Sequence, residues 1–375
     1  MRDFRLSVPA NLLLVGEYAV TEKGGFGIAL AAQPRLLATV SPAASPRIEG
    51  IMGSMSFSWD PESGKEPPTL VAACLAACRA ASASHNSATG ASRNSAACFG
   101  PTAGPGPWPF APARVVIDST AFFDPDGSKR GLGSSAATAV ALVASLLALG
   151  GIEGEDLRLA TYPLAIAAHR NFQGGRGSGY DVAASCFGGL GLFTGGAAPS
   201  WEALGGGAPG RRLSPAALPR LALFRGPRAV VSPEAVSRYQ AWRLAHPEAF
   251  RDFLAASQTG ALALADASSP VEALEALRQA AQRGLELGIA IGVPAGFEMQ
   301  AGDEGTGGGP IHSRSVIKAL GAGNELGLIA SVEALDLRNG GRIAGVRIAG
   351  GRIAGSGSIP DLEPLVLEPE GLRWE

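Results

Sequence analysis

A chain of 375 residues, 46% hydrophobic and 17% charged, carries enough apolar material for a large core, which excludes an intrinsically disordered protein. Its formal net charge is −2 and its 31 Lys and Arg residues are scattered, so neither a basic stripe for nucleic acid nor an acidic tail is present. Small-molecule chemistry is the function class left standing.

Cys74, Cys78, Cys98 and Cys186 form no CxxC pair and no Cys/His ligand set, which points to a reducing, cytoplasmic setting. Cys74 and Cys78 lie four apart in an Ala-rich stretch and read as small core residues. Met1-Arg2-Asp3-Phe4-Arg5 lacks the apolar segment of a secretory signal. The longest apolar run, residues 136–149, is short for a membrane span and stops at Gly150-Gly151; a buried helix is expected, and no membrane partner.

In chain order, Leu12-Leu13-Leu14-Val15 reads as a buried strand stopped by Gly16, and residues 35–40 as a second strand of the same sheet. Residues 69–78 read as a helix. Residues 79–112 are poor in large apolar side chains and rich in Ala, Ser, Asn, Gly and Pro, the composition of an exposed, flexible insertion. Val115-Val116-Ile117 is a strand, and residues 136–149 and 157–168 are helices. The Gly/Pro-rich patch at 195–219 is the expected boundary between an N-terminal domain, residues 1–200, and a C-terminal domain, residues 215–375. Beyond it, residues 221–224 suggest a strand, 248–265 and 271–287 two amphipathic helices, and 302–310 a flexible loop. Arg342, Arg347 and Arg352 each open an Arg-Ile-Ala-Gly unit. That odd spacing flips faces along a strand, so hairpin turns at the glycines are expected.

The sharpest motif is Lys129-Arg130-Gly131-Leu132-Gly133-Ser134-Ser135-Ala136-Ala137, which leads straight into the Ala-rich helix. Glycines let successive N–H groups curl towards one anion, and the helix start adds its positive dipole end. Ser134 and Ser135 either cap the helix or reach a phosphate-bound Mg²⁺, and Lys129 and Arg130 supply cationic charge. A plain Gly/Ser-rich helix cap is the alternative. The loop is not a Walker motif, since no Gly-Lys-Ser/Thr follows the glycines, and it lacks the third glycine of a dinucleotide fingerprint.

A second cluster, Gln173-Gly174-Gly175-Arg176-Gly177-Ser178-Gly179-Tyr180-Asp181-Val182-Ala183-Ala184, offers close backbone approach, one guanidinium and one carboxylate. Asp181 either caps a helix or sits beside an acceptor oxygen, where it orients the oxygen or takes its proton. Arg176 is suited to clamp an anionic substrate bidentately.

With both clusters in place the chain resembles the GHMP kinase superfamily and, within it, the phosphomevalonate kinases. Residues 129–137 look like that family's ATP loop, and Gly177-Ser178-Gly179-Tyr180-Asp181-Val182-Ala183-Ala184 is similar to a stretch marked in the phosphomevalonate branch. Residues 9–20, with Gly16-Glu17-Tyr18, look like the first motif, and residues 318–330, with Gly321-Ala322-Gly323, like the third. Two departures stand out: Asn11 replaces the usual Lys or Arg, and Asn324-Glu325 follow Gly323 in place of further glycines.

The resemblance implies an α+β protein with a ribosomal protein S5 domain 2-like N-terminal domain and a ferredoxin-like C-terminal one. It implies ATP and Mg²⁺ as cofactors, a small phosphorylated substrate, and no nucleic-acid or membrane partner; a homodimer is compatible with it. Gly131, Leu132, Gly133, Ser134, Ser135 and Ala136 would hold the ATP phosphates, with Ser135 on the metal. Lys129 would stand near the transferring phosphoryl and Asp181 at the acceptor. Asn11, Glu17, Tyr18, Arg176, Ser178, Gly179, Lys318, Gly321 and Gly323 would line the substrate side. A phosphomonoester has its second pKa near 6, so it needs little base help but several cations to offset repulsion between phosphates. Lys129, Arg130, His169, Arg170, Arg176, Arg314 and Lys318 supply such a set. The expected reaction is phosphorylation of 5-phosphomevalonate to 5-diphosphomevalonate. Mevalonate kinase, another small-molecule kinase of this superfamily, and a catalytically silent relative that binds nucleotide or metabolite stay open.

Overall fold

A computed structural model of the protein describes residues 2–87, 108, 110–205, 211–226, 232–295, 297–301, 314–321, 323, 326–333, 346–349 and 362–375. The chain begins with strands β1 (Phe4–Val15), β2 (Phe26–Pro42), β3 (Arg47–Met52) and β4 (Met55–Trp59), then helix α1 (Thr69–Ser87) and strand β5 (Ala113–Asp118). Helices α2 (Ser134–Leu149), α3 (Gly154–Phe172) and α4 (Tyr180–Phe187) follow, then strands β6 (Leu190–Thr194), β7 (Ser200–Leu204) and β8 (Arg220–Arg225). Next come α5 (Ser232–Ala245), α6 (Pro247–Ala265) and α7 (Pro270–Ile291). The remaining strands are β9 (Glu298–Ala301), β10 (Ser315–Leu320), β11 (Leu326–Ser331), β12 (Val346–Ala349), β13 (Glu363–Pro364) and β14 (Arg373–Trp374).

Two compact units result, each assembled from separate stretches of chain. The first comprises Met1–Asn11, Ala31–Gly189 and Glu368–Glu375, and the second Leu12–Leu30 and Leu190–Leu367. In the first unit the strand order is β14-β1-β2-β5-β3-β4. β3 runs parallel to β5, and β3 and β4 form a tight hairpin with Met52 opposite Met55. α2 packs against α1, α3 and α4 and is buried nearly all round, as its unbroken apolar sequence requires. The C-terminal residues close this unit through Arg35, whose Nη1 lies 2.9 Å from Glu368 Oε2. The same guanidinium donates to the carbonyls of Ser7 and Gly371 at 3.0 and 2.6 Å. Cys74 and Cys78 are buried, as expected of small core residues, Cys186 is a buried free thiol too, and burial pushes the Cys74 thiol up to about 12; Cys98 lies outside the described residues.

The second unit carries a four-stranded antiparallel sheet, order β10-β11-β8-β13, with α7 packed on β10 and β11 and α6 on α7. Its start is set locally: Ser269 caps α7, its hydroxyl accepting the Glu272 N–H, and Pro270 fills the first helical position. Gly292 then ends α7 in the left-handed conformation, with Val293 N–H donating to Gly288 O at 2.8 Å. Tyr18, Tyr239, Leu287, Ile291 and Val293 build an aromatic-rich core here, joined by Trp242, Phe250 and Phe253.

Several elements differ from the sequence expectation. β2 starts at Phe26 rather than near residue 35, because Ile28 through Ala32 are buried on both faces and show no alternation. α1 continues through Ser87, and the rest of the expected insertion lies outside the described residues apart from Trp108 and Phe110 onward. α5 escaped notice because only Ala235 and Tyr239 of its fully described side chains are buried, too narrow a stripe to read. Of the Arg-Ile-Ala-Gly units, the described residues contain β12, which pairs with β9, Val346 opposite Ala301; the 302–310 loop and the other repeat residues lie outside them. Among the described residues no helix is long and apolar enough to cross a membrane.

Candidate active site

In the first unit, the Gly-rich turn is held from below before it delivers α2. Phe123 and Lys129 form an antiparallel bridge, and Arg130 N–H donates to Phe122 O at 3.0 Å. Gly131 and Gly133 both have φ of 75°, a region that disfavours any side chain. Gly133 is the helix cap, so Ser134 and Ser135 stand in the first turn, not at the capping position left open in the sequence. The first-turn N–H groups, from Ser134 on, have no intrahelical acceptors and face whatever binds there.

Asn11 fixes this turn. It is 3% exposed, its backbone N–H donates to Leu132 O at 3.2 Å, and its Nδ2 donates to Gly133 O at 3.3 Å and Ser185 Oγ at 2.9 Å. Ser185 Oγ passes its own proton to Pro9 O at 2.9 Å. The Gly133 carbonyl can only accept, so the amide orientation follows from the network. A Cβ on Gly133 would stand 2.2 Å from Asn11 Oδ1, so that glycine is required twice over, by conformation and by space. Asn11, expected on the substrate side, thus spends its amide on the loop itself.

α3 and α4 complete the cluster. Ser135 Oγ lies 3.1 Å from His169 Nε2, and His169 Nδ1 lies 3.3 Å from Asp181 Oδ2. Asp181 stands in the first turn of α4, behind a Gly179 cap with φ of 96°, and its Oδ1 accepts the Val182 N–H at 2.9 Å. Burial alone would raise the Asp181 carboxyl, but the His169 charge and hydrogen bond outweigh it and hold the group below its usual range. Burial alone would lower His169, and Asp181 carries it above its ordinary value instead. A protonated His169 donates from both ring nitrogens, which leaves the Ser135 O–H to donate to an anion. The linked signs define a window. Asp181 contributes stability above its ordinary 3.8, lost as pH falls through its lower folded value; His169 contributes below 6.5, lost as pH rises through its raised folded value. An NMR titration of His169 should therefore give a midpoint above 6.5 in the wild type and a lower one in Asp181→Asn; equal midpoints would refute the pairing.

Arg170 shapes the neighbouring loop, its Nε and Nη2 donating to the carbonyls of Gly177 and Ser178 at 2.9 and 2.6 Å. Ser178 is half-buried there, while Arg176 and Lys129 are exposed. The remaining expected residues lie in the second unit. Lys318, 3% exposed at the side chain, donates to Glu17 and, at 2.8 Å, to Ala319 O. Burial raises the Glu17 carboxyl despite Lys318. Tyr18 is the single described non-glycine residue with positive φ, at 63°, and packs 5.0 Å from the Tyr239 ring in the aromatic core. Gly321 follows β10 with φ of 74° and Gly323 is buried; Ala322, Asn324 and Glu325 lie outside the described residues. Two positions were not singled out beforehand as structural parts of the site: His169 entered only as one cation among several, and Ser185 not at all. No local motif marks either, because each acts through a partner far along the chain.

The family model for the GHMP kinases N terminal domain matches residues 86–189, the stretch that holds the turn, His169 and Asp181. Solved structures extend the likeness over most of the chain. A Lin0012 protein from Listeria innocua is 19% identical with a TM-score of 0.64, covering 88% of this chain and 91% of its own. The Streptococcus pneumoniae phosphomevalonate kinase in complex with phosphomevalonate and AMPPNP is 17% identical with a TM-score of 0.60, covering 88% and 92%. The chain has a GHMP kinase fold. Methanococcus jannaschii mevalonate kinase shares that GHMP kinase fold at 13% identity and a TM-score of 0.55, covering 88% and 90%. No curated protein sequence matches the chain.

Proposed function

We propose that the chain is an ATP-dependent phosphotransferase of the cytoplasm that uses Mg²⁺ and acts on 5-phosphomevalonate, giving ADP and 5-diphosphomevalonate. The observation that carries the transferase reading is the Ser135–His169–Asp181 chain, which ties a helix-start hydroxyl to a carboxylate held ionised. The glycine turn and the first turn of α2 supply N–H groups for a phosphate chain, and Lys129 adds charge beside them. Among the described residues no cluster of three or more His, Cys, Asp or Glu side chains is arranged to hold a metal ion. Mg²⁺ commonly takes one or two protein oxygens and completes its shell with water and substrate phosphate, which suits Ser135 as a protein donor. When bound, Mg²⁺ would neutralise charge on the phosphate oxygens.

Among the cations in the motif clusters, His169 meets Asp181, Arg170 meets backbone carbonyls, Lys318 meets Glu17, Arg314 meets Glu333, and Arg130 meets Asp124 and the Ala121 carbonyl. Lys129 and Arg176, both exposed, are the better candidates to meet a second phosphate. Gly16-Glu17-Tyr18, the 177–184 stretch and the likeness to a kinase described in complex with phosphomevalonate favour that acceptor. A coupled ADP-release assay with 5-phosphomevalonate, mevalonate and galactose tests it. Turnover of the first alone is expected; turnover of mevalonate but not its phosphate would move the assignment to an alcohol kinase. Asn11, tied into the loop where the family pattern has a cation, favours a second reading, a relative that binds nucleotide without transfer. Calorimetric ATP binding with no ADP release from any acceptor would select that one.

A further inference from the structure

In the first unit, α4 reaches the glycine turn twice from one face. Asp181 and Ser185 are four residues apart, about one helical turn, so their side chains lie one above the other. Asp181 acts through His169 on the Ser135 side chain. Ser185, fully buried, acts through Asn11 on the backbone instead: its Oγ accepts from Asn11 Nδ2 at 2.9 Å, and the same Nδ2 donates to Gly133 O at 3.3 Å. The Ser185 proton is committed to Pro9 O at 2.9 Å, which leaves its oxygen free to accept from Asn11. The first link contains charge. The second contains none, although the family pattern has a cation at position 11.

What the uncharged link holds is the direction of two peptide planes. In a trans peptide the C=O and the following N–H point to opposite sides. The Asn11 backbone N–H holds Leu132 O at 3.2 Å, which aims the Gly133 N–H away from β1. Its side-chain amide holds Gly133 O, a carbonyl that also accepts the Ala137 N–H at 3.1 Å, and so aims the Ser134 N–H away as well. Gly133 lies in the left-handed region and Ser134 begins the helix, a sequence of conformations that makes successive N–H groups converge into an anion-binding concavity. Neither N–H donates to a protein acceptor among the described residues. Donors set in place beforehand spare a bound anion the cost of ordering them.

We propose that Asn11 and Ser185 are positioning residues for phosphate binding: together they aim the Gly133 and Ser134 N–H groups at a polyphosphate, doing by geometry what a Lys or Arg at position 11 would do by charge. This rests on the reading of the turn as a phosphate site, and it holds whether a bound nucleotide is used for transfer or only held. NMR and calorimetry on the full chain, with ATP and with inorganic triphosphate in magnesium chloride, test it. The Gly133 and Ser134 amide protons should move downfield on adding inorganic triphosphate to the wild type, and move much less in Asn11→Leu. That variant should weaken both ligands about tenfold or more, the scale of lost hydrogen bonds to a charged group, and Ser185→Ala about fivefold, the scale of one neutral bond. Asn11→Leu combined with Ser185→Ala should bind no more weakly than Asn11→Leu alone, because Ser185 works through Asn11. The double variant removes both polar partners together, so it carries the test if Asn11→Leu does not fold. Full affinity in the folded variants, even with a lower Tm, would reduce the pair to scaffolding and overturn the proposal, as would additive losses or amide shifts that persist in Asn11→Leu. Wild-type protein that binds neither ligand would sink this and the phosphate site together. Weakened binding in the variants, with no ADP release from any acceptor, would sink the transfer reading alone.

Discussion

Asp181→Asn should lower kcat by roughly 10²-fold with the KM for ATP nearly unchanged, the lower end of what a positioned base contributes. Asparagine keeps the shape and the oxygen that accepts the Val182 N–H, but it removes the charge that raises His169 above its ordinary value. If the acceptor is the proposed phosphomonoester, already largely ionised at neutral pH, the carboxylate would place groups and balance charge rather than take a proton. An alcohol acceptor would lean on it harder. A loss above about 10⁴-fold in the coupled assay would exceed the usual base range and overturn this electrostatic account. The His169 titration midpoint, read on the same variant, separates the two cases: it falls if the pair is intact in the wild type, whatever the rate does.

Glu17→Gln should cost roughly 3–5 kcal/mol in urea unfolding, because it strands the Lys318 ammonium at a site where its side chain is 3% exposed. The double replacement Glu17→Leu with Lys318→Met should recover most of that loss. The reason is the upward shift of the Glu17 carboxyl, in which burial outweighs the lysine's attraction. A pair with that balance is poor value against apolar side chains of similar volume, yet breaking half of it is worse than keeping it. A double variant as unstable as the single one would show that the pair does more than neutralise itself, and would tie it to the shape of the turn after β1.

The parts of this molecule that could be read from the chain are those whose physics is local. Gly131, Gly133 and the paired serines announce a phosphate-type turn because positive φ and a following helix are neighbours in sequence. Asp181 was legible for the same reason, as an acid among glycines opening an apolar helix. His169 as the link between them was not, since it depends on how α3 packs beside α2 and α4. Asn11 looked like a missing cation, and its amide turns out to brace a turn more than a hundred residues away in sequence. β2 was read short because its first half is buried on both faces and therefore carries no period.

The way the chain is divided also bears on how it can be made. A ribosome that has completed residue 189 has produced the whole of α2, α3 and α4 but not the segment Glu368–Glu375, which supplies β14 and the partners of Arg35. Leu12–Leu30, translated well before the rest of its unit, must wait for strands and helices that follow Gly189. No single cut therefore yields two self-sufficient fragments, and the nascent protein holds a half-built sheet with an open strand edge until Glu368–Glu375 is made, the stage at which chaperone protection would matter most.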